Sequence, residues 1–253
     1  MISEKTSVRE IATLLPDAAR LFHRVGIEYG CMTEKTLGEA CSAAGADSGA
    51  LLKQIEELQQ VREPREPQRY WEQETVSALV SHILEAHHAY LKEELPRLEK
   101  LMSTVYETHG KSYRELLKVH QIFFGLKDEL ELHLRKEEAM LFPYLLTLEA
   151  ARLDRVPFPT CPFGTVANPV RVMMKEHDSA EDCLHAIRTS TSDFTAPPGA
   201  CLGFTLLLHG LRQLEADLRE HIRLENEVLF VKALQMEKAT GTPGSPCQPS
   251  PAA

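Results

Sequence analysis

The chain has 253 residues, a formal net charge of −9 at pH 7, 43% hydrophobic and 26% charged residues. This composition is ordinary for a globular protein of one or two domains with a sizeable core. The acidic net charge argues against a nucleic-acid partner. No run of about 18 apolar residues predicts a membrane span, and the N-terminus lacks the pattern of a secretory signal. We therefore expect a cytoplasmic protein.

Residues 1–61 predict a small helical N-terminal domain. The segments Ser7–Glu10 and Thr36–Glu39 have the capping-box form that begins helices, and Asp47 is suited to cap a further helix. The next stretch, 62–70, is charged and punctuated by proline, which is typical of a linker.

Residues 71–238 predict an antiparallel four-helix bundle, so the fold class is all-α. The predicted helices cover roughly 72–107, 111–150, 167–190 and 200–238. Pro96 is expected to kink or break the first of them, and Pro143 to bend the second. The remaining residues, 239–253, are rich in Pro, Gly and Ser and predict a disordered tail.

An internal repeat of histidines and carboxylates lies within the bundle. The second predicted helix carries Glu129-x3-His133-x3-Glu137, and the fourth carries Asp217-x3-His221-x3-Glu225. The helix before each motif holds one more histidine at nearly the same distance, and these two are His88 and His177.

These repeated residues predict a metal centre. Residues four apart share one face of a helix, so His and Glu of each motif can reach a common point in the bundle interior. The predicted ligands are His88, His133, Glu137, His177, His221 and Glu225. His88 is preferred over His87 because of the residues that follow each at steps of three or four. Those on the helix face of His88 are apolar, whereas the face of His87 includes the charged Glu94.

Glu129 and Asp217 lie one turn before the ligand histidines. They are candidates for acids that orient imidazoles or relay protons, and exposure to solvent is the alternative. Imidazole and carboxylate ligands suit iron, manganese and zinc, so the ligand set alone leaves the metal open.

The chain resembles the RIC (repair of iron centres, YtfE/ScdA-type) family of di-iron proteins, which have a hemerythrin-like domain. The resemblance is carried by the segments His88–Pro96, His133–Pro143, Met174–Asp178 and His221–Phe230. It implies that the six predicted ligands hold two iron ions with an oxo or hydroxo bridge. The first 60 residues resemble the family's N-terminal domain, which implies a homodimer through that domain.

The same resemblance implies a stress-response function, namely repair of iron–sulfur clusters damaged by nitric oxide or oxidative stress, with iron–sulfur proteins as partners. Three functions stay open: iron donation, which is not a conventional enzyme activity, reduction of nitric oxide, and binding of O2 or NO as a sensor. The family usually has a Cys-Cys pair in its N-terminal domain, whereas this chain has Gly30-Cys31. Chemistry that needs both thiols is therefore not expected here.

Overall fold

The computed structural model describes residues 2–29, 34–60 and 70–238, and regular structure within them is helical. The only pairing outside helices in those residues is an isolated bridge between Ser7 and Thr36. The predicted all-α class is thereby confirmed. None of the described helices is long and apolar enough to cross a membrane.

Three predictions concern segments outside the described residues. They are the linker at 62–70, of which only Tyr70 is described, the Gly30-Cys31 dipeptide and the tail at 239–253. The boundaries of the N-terminal domain and of the bundle stay predictions.

Four short helices make up the N-terminal region: α1 (Val8–Leu14), α2 (Ala18–Arg24), α3 (Leu37–Ala44) and α4 (Ser48–Gln60). The Ser7 side chain accepts a backbone N–H from the first turn of α1, and Thr36 and Glu39 form a complete capping box on α3. Asp47 Oδ1 accepts the N–H of Ala50 at 3.0 Å. These caps satisfy backbone donors that have no partner inside a helix.

Seven more helices follow in the described residues: α5 (Val76–His82), α6 (Ala89–His109), α7 (Glu115–Lys136), α8 (Phe142–Asp154), α9 (Ala167–Ser190), α10 (Leu202–Arg223) and α11 (Phe230–Lys238). A short 3₁₀ turn, Trp71–Gln73, precedes α5. Pro96 lies inside α6, which continues for more than three turns beyond it, so the predicted break does not occur there.

Three π-helical turns interrupt the long helices where continuous α-helix was predicted. They join α5 to α6 (Ile83–His88), α7 to α8 (Glu137–Leu141) and α10 to α11 (Leu224–Leu229). Each contains a predicted ligand: His88, Glu137 or Glu225. A π turn inserts one extra residue and rotates the following face of the helix, and such turns are frequent at functional sites. Pro143, which lacks an N–H, is the second residue of α8, in the first turn after the second π turn.

The described residues belong to two compact units. The first lies within Met1–Gln68, Leu91–Phe124 and His185–Glu215. In it, the Arg24 guanidinium donates two hydrogen bonds to the Glu93 carboxylate, at 2.6 and 2.7 Å. Asp17 accepts hydrogen bonds from His209 and Gln213. Polar contacts of this kind tie the N-terminal helices to the long helices within this unit.

The second unit lies within Arg69–Tyr90, Gly125–Leu184 and Ala216–Ala253. Its four helical segments enclose one apolar core that includes Ile83, Phe142, Leu229 and Phe230, each at most 2% exposed. Residues from the start of α9 complete this core, among them Val166, Val170 and Met173. All six predicted metal ligands belong to this unit.

Candidate metal centre

The six predicted ligands lie together in the interior of the second unit, and each is at most 3% exposed. They form two groups of four whose ligand atoms lie within 4.8 Å of one another. One group is His88, Glu137, His221 and Glu225, and the other is His133, Glu137, His177 and Glu225. Because both groups contain the same two glutamates, the arrangement suits two metal ions bridged by carboxylates and capped by two imidazoles each.

Glu137 stands between two imidazoles from different helices. Its Oε2 lies 3.4 Å from Nε2 of His88 and 3.4 Å from Nε2 of His133. His133 and Glu137 are four residues apart and reach the same point from one helix face, as the spacing predicts.

Glu225 has the matching position in the other half of the repeat. Its Oε2 lies 3.1 Å from Nε2 of His177, and its Oε1 lies 3.1 Å from Nε2 of His221. Nε2 atoms of His133 and His177 also face each other at 3.2 Å. Imidazole nitrogens and carboxylate oxygens therefore converge on one small volume.

The donor atoms at the centre fit a pair of metal ions. Both carboxylate oxygens of Glu137 and of Glu225, and Nε2 of His88 and His221, are buried without a hydrogen-bond partner in the described residues. Buried polar atoms are normally hydrogen-bonded, and each one left unsatisfied costs about 1–3 kcal/mol. Coordination of a cation by these lone pairs removes that cost.

The electrostatics of the centre couple the acids to the imidazoles. Burial opposes the charge on His133, but the close carboxylates of Glu137 and Glu225 raise its pKa to about 9. Burial likewise works against ionised Glu225, yet His221 and His177 hold its pKa well below the ordinary value. Glu225 is thus a carboxylate at neutral pH, the state in which it binds metals.

Three of the four ligand imidazoles have a hydrogen-bond partner at Nδ1. Nδ1 of His88 lies 2.8 Å from Glu138 Oε1, and Nδ1 of His133 lies 2.9 Å from Glu176 Oε2. Nδ1 of His177 lies 2.9 Å from Asn226 Oδ1. Such partners fix the orientation of a ligand ring and raise its basicity. Nδ1 of the fourth, His221, has no partner in the described residues.

Glu138 and Asn226 were not predicted as site residues from the sequence. Both directly follow a repeated glutamate, Glu137 or Glu225, and both contact the histidine of the preceding helix in their own half. A polar residue at the same offset in both halves was the available signal. Their roles became visible only when the helices were packed.

The two acids that lie one turn before the ligand histidines have the two environments that the sequence left open. Glu129 is exposed, and its carboxylate accepts a hydrogen bond from Ser179 Oγ at 3.2 Å. The partner of the His133 ring is Glu176 instead. Asp217 does contact an imidazole, but it is His87, with Oδ1 3.0 Å from Nδ1.

His87 does not lie on the charged face that Glu94 indicated. Glu94 is completely buried and paired with Arg97, so its charge does not mark an exposed stripe. His87 is also buried, and its ring stacks on that of His221 with centroids 5.5 Å apart and planes 9° from parallel. Both His87 and His88 lie in the π turn that joins α5 to α6.

A narrow cavity reaches the centre between the helices. Its lining includes Glu129, His133, Glu176, His177 and His221, and its remaining walls are apolar. Its volume is about 10 Å³, roughly the space of one water-sized molecule. Small molecules match this space, and larger organic substrates do not.

Two protein families match the chain. The family described as the Hemerythrin HHE cation binding domain matches residues 79–233, more than half of the chain. A second family, ScdA_N, described as a domain of unknown function, matches residues 4–59.

Curated relatives match over most of the chain. The iron-sulfur cluster repair protein YtfE of Escherichia coli O157:H7 is 29% identical over 228 residues, which is 90% of this chain and 96% of the relative. The protein of the same name from Escherichia fergusonii is similar to the same extent. These matches confirm the resemblance seen in the sequence. The chain belongs to the hemerythrin HHE family, and its matches to ScdA_N and to YtfE support the resemblance to the repair-of-iron-centres (RIC) proteins.

Proposed function

We propose that this protein repairs iron–sulfur clusters damaged by nitric oxide or oxidative stress, and that it does so by supplying iron. The observation that carries the proposal is the pair of overlapping ligand groups that share Glu137 and Glu225. The relatives named as iron-sulfur cluster repair proteins, which match 90% of the chain, support the same role.

The residues of the second unit hold two iron ions with an oxo or hydroxo bridge in this proposal. Glu137, Glu225, His88 and His221 would hold one ion, and the same two glutamates with His133 and His177 would hold the other. Bound iron would supply a redox-active pair whose ligand affinity changes with oxidation state.

The chain's own groups hold and orient the ligands. Glu138, Glu176 and Asn226 accept from the Nδ1 atoms and keep each Nε2 aimed inward. The Glu176 carboxylate is buried in part, but hydrogen bonds from Lys136 and His133 lower its pKa and keep it ionised. The apolar core packed below the centre excludes bulk water.

Damaged iron–sulfur proteins are the partners in this proposal, and the cytoplasm is the compartment. A homodimer through the N-terminal region belongs to the same proposal. Light scattering on the full chain tests the dimer, with twice the chain mass of 28.4 kDa as the expected result.

A repair assay tests the main proposal. An enzyme that depends on a [4Fe–4S] cluster is inactivated by nitric oxide and then incubated with iron-loaded protein. We expect recovery well above that given by an equal amount of free ferrous iron. The Glu225→Ala variant should fail, and Glu181→Ala, on the exposed side of α9, should work as well as the parent. Recovery that does not depend on loaded protein would contradict the proposal.

Reduction of nitric oxide at the same centre is a second candidate, favoured by the narrow cavity that reaches three of the four imidazoles. Steady consumption of nitric oxide with an electron donor, many turnovers per protein, would support it. Binding of nitric oxide or O2 without turnover and without cluster repair would instead indicate a sensor.

A further inference from the structure

The two halves of the candidate centre are related by the sequence repeat, position by position. His88 matches His177, and His133 matches His221. Outside the ligands, Glu138 matches Asn226, and each accepts from an Nδ1 atom at 2.8 or 2.9 Å. The correspondence therefore extends to the groups that orient the ligands.

The correspondence fails at one position. Glu176 directly precedes ligand His177 and accepts from Nδ1 of His133. The equivalent residue directly precedes ligand His88 and contacts His221, but it is His87. His87 stacks on the ring of His221 and does not hydrogen-bond to it, so Nδ1 of His221 is left without a partner in the described residues.

Asp217 does not compensate for this difference. It lies one turn before His221, within reach of that ring along the helix. Its Oδ1 is instead 3.0 Å from Nδ1 of His87, and its Oδ2 is buried without a hydrogen bond in the described part of the chain. His87 thus stands at the position where the other half has the acceptor Glu176. It also contacts Asp217, the other acid near the His221 ring.

From this asymmetry we propose that the His88–His221 half binds its iron more weakly than the His133–His177 half and releases it first. Loss of the partner that orients a ligand histidine typically lowers metal affinity 10- to 100-fold. His87 is a positioning residue that sets this difference. The inference depends on the proposed iron supply for its purpose, since it names which of the two irons would be given away.

Stepwise removal of iron tests the inference independently of cluster repair. Reduced, iron-loaded protein is mixed with a ferrous chelator, and release is followed by absorbance. We expect two phases of equal amplitude that differ at least about tenfold in rate. A crystal taken after the fast phase should have lost anomalous scattering between His88 and His221 only. A single phase, or loss from the His133–His177 half, would overturn the inference.

Two substitutions assign the cause. His87→Gln can donate to Asp217 and offers an oxygen to Nδ1 of His221, so the fast phase should slow about tenfold. Glu176→Leu removes the matching acceptor in the other half, so the slow phase should accelerate. His120→Gln, at a ring that contacts Tyr106 and Phe124 in the first unit, is the matched control and should change neither phase.

The outcomes separate this inference from the proposed function. Two distinct phases of iron release without cluster repair would support the asymmetry of the two halves and contradict the repair function. Repair by a protein whose irons leave together would do the reverse. Unchanged phases in His87→Gln protein that still binds two irons would remove His87 from the explanation and overturn its assignment.

Discussion

Buried carboxylates occur in both compact units, but their surroundings differ. In the first unit, Glu94 is fully buried and accepts two hydrogen bonds from the Arg97 guanidinium, the Nε bond being 2.8 Å long. Arg97 also donates to the Tyr29 hydroxyl at 3.2 Å. Gly210 makes room for this group, since a Cβ there would lie 2.6 Å from Arg97 Nη2.

In the second unit, Glu137 and Glu225 are equally buried, but none of their oxygens has a hydrogen bond within the described residues. They face only imidazole nitrogens. A buried carboxylate that is paired with a guanidinium has a structural role. A buried carboxylate that faces imidazole nitrogens instead is suited to bind a cation together with them. A buried glutamate can therefore be structural or metal-binding. The number of hydrogen-bond donors around its carboxylate distinguishes the two roles.

The largest expected effect concerns the bridging acids. Glu137→Ala removes a ligand common to both groups, so iron content should fall from two per chain to near zero. Elemental analysis of purified protein measures this. Glu181→Ala, which removes an exposed acid, should retain two irons. Full iron content in Glu137→Ala protein would show that Glu137 is not a metal ligand and would contradict the comparison with Glu94.

The buried ion pair gives the next effect, on stability and not on iron. Arg97→Ala leaves the Glu94 charge buried without its partner, which costs about 3–5 kcal/mol. Urea unfolding measures the loss, and iron content should stay at two. The double variant Glu94→Leu, Arg97→Met replaces the pair by apolar groups and should recover most of the stability. A parallel loss of iron in Arg97→Ala would contradict the separation of the two roles.

Hydrogen bonds to the ligand rings have a smaller effect. Asn226→Leu removes the acceptor of His177 Nδ1, and iron affinity should fall about tenfold, the lower end of the range for such partners. Competition with a chelator of known affinity measures the change. Asn226→Asp keeps an acceptor at this place and should bind iron nearly as well as the parent. Equal weakening by both variants would show that the hydrogen bond is not the cause.

The smallest effect is a pH dependence in the first unit. The hydrogen bond from His209, supported by Gln213 and opposed by burial, holds the pKa of Asp17 below its usual 3.8. A depressed pKa stabilises the fold above about pH 4, and this contribution is lost as the pH falls further.

Asp17 is partly exposed to solvent, so its contribution should stay below about 1 kcal/mol. Asp17→Asn should therefore flatten the decline of unfolding free energy below pH 4. Urea titrations of metal-free protein at pH 7, 5 and 3 measure this without a contribution from iron. An unchanged slope would remove Asp17 from the acid response.

The sequence by itself determined the all-helical class, the caps of the N-terminal helices and the repeated histidines and glutamates that meet in the second unit. These features depend on short-range geometry: residues three or four apart share a helix face, and a capping side chain reaches three residues along the chain. Spacings of this kind can be recognised in the sequence without knowing which helix packs against which.

Only the tertiary structure decided the π turns, the Nδ1 partners and the positions of His87 and Glu94. A single inserted residue rotates everything after it on a helix, and spacing does not show where one occurs. The surroundings of His87 were inferred from the charge of Glu94, which Arg97 pairs with in the interior. The partner of an imidazole lies on another helix, and its identity follows from how side chains pack. Spacing along the chain therefore indicated a metal centre, and packing alone distinguished its two halves.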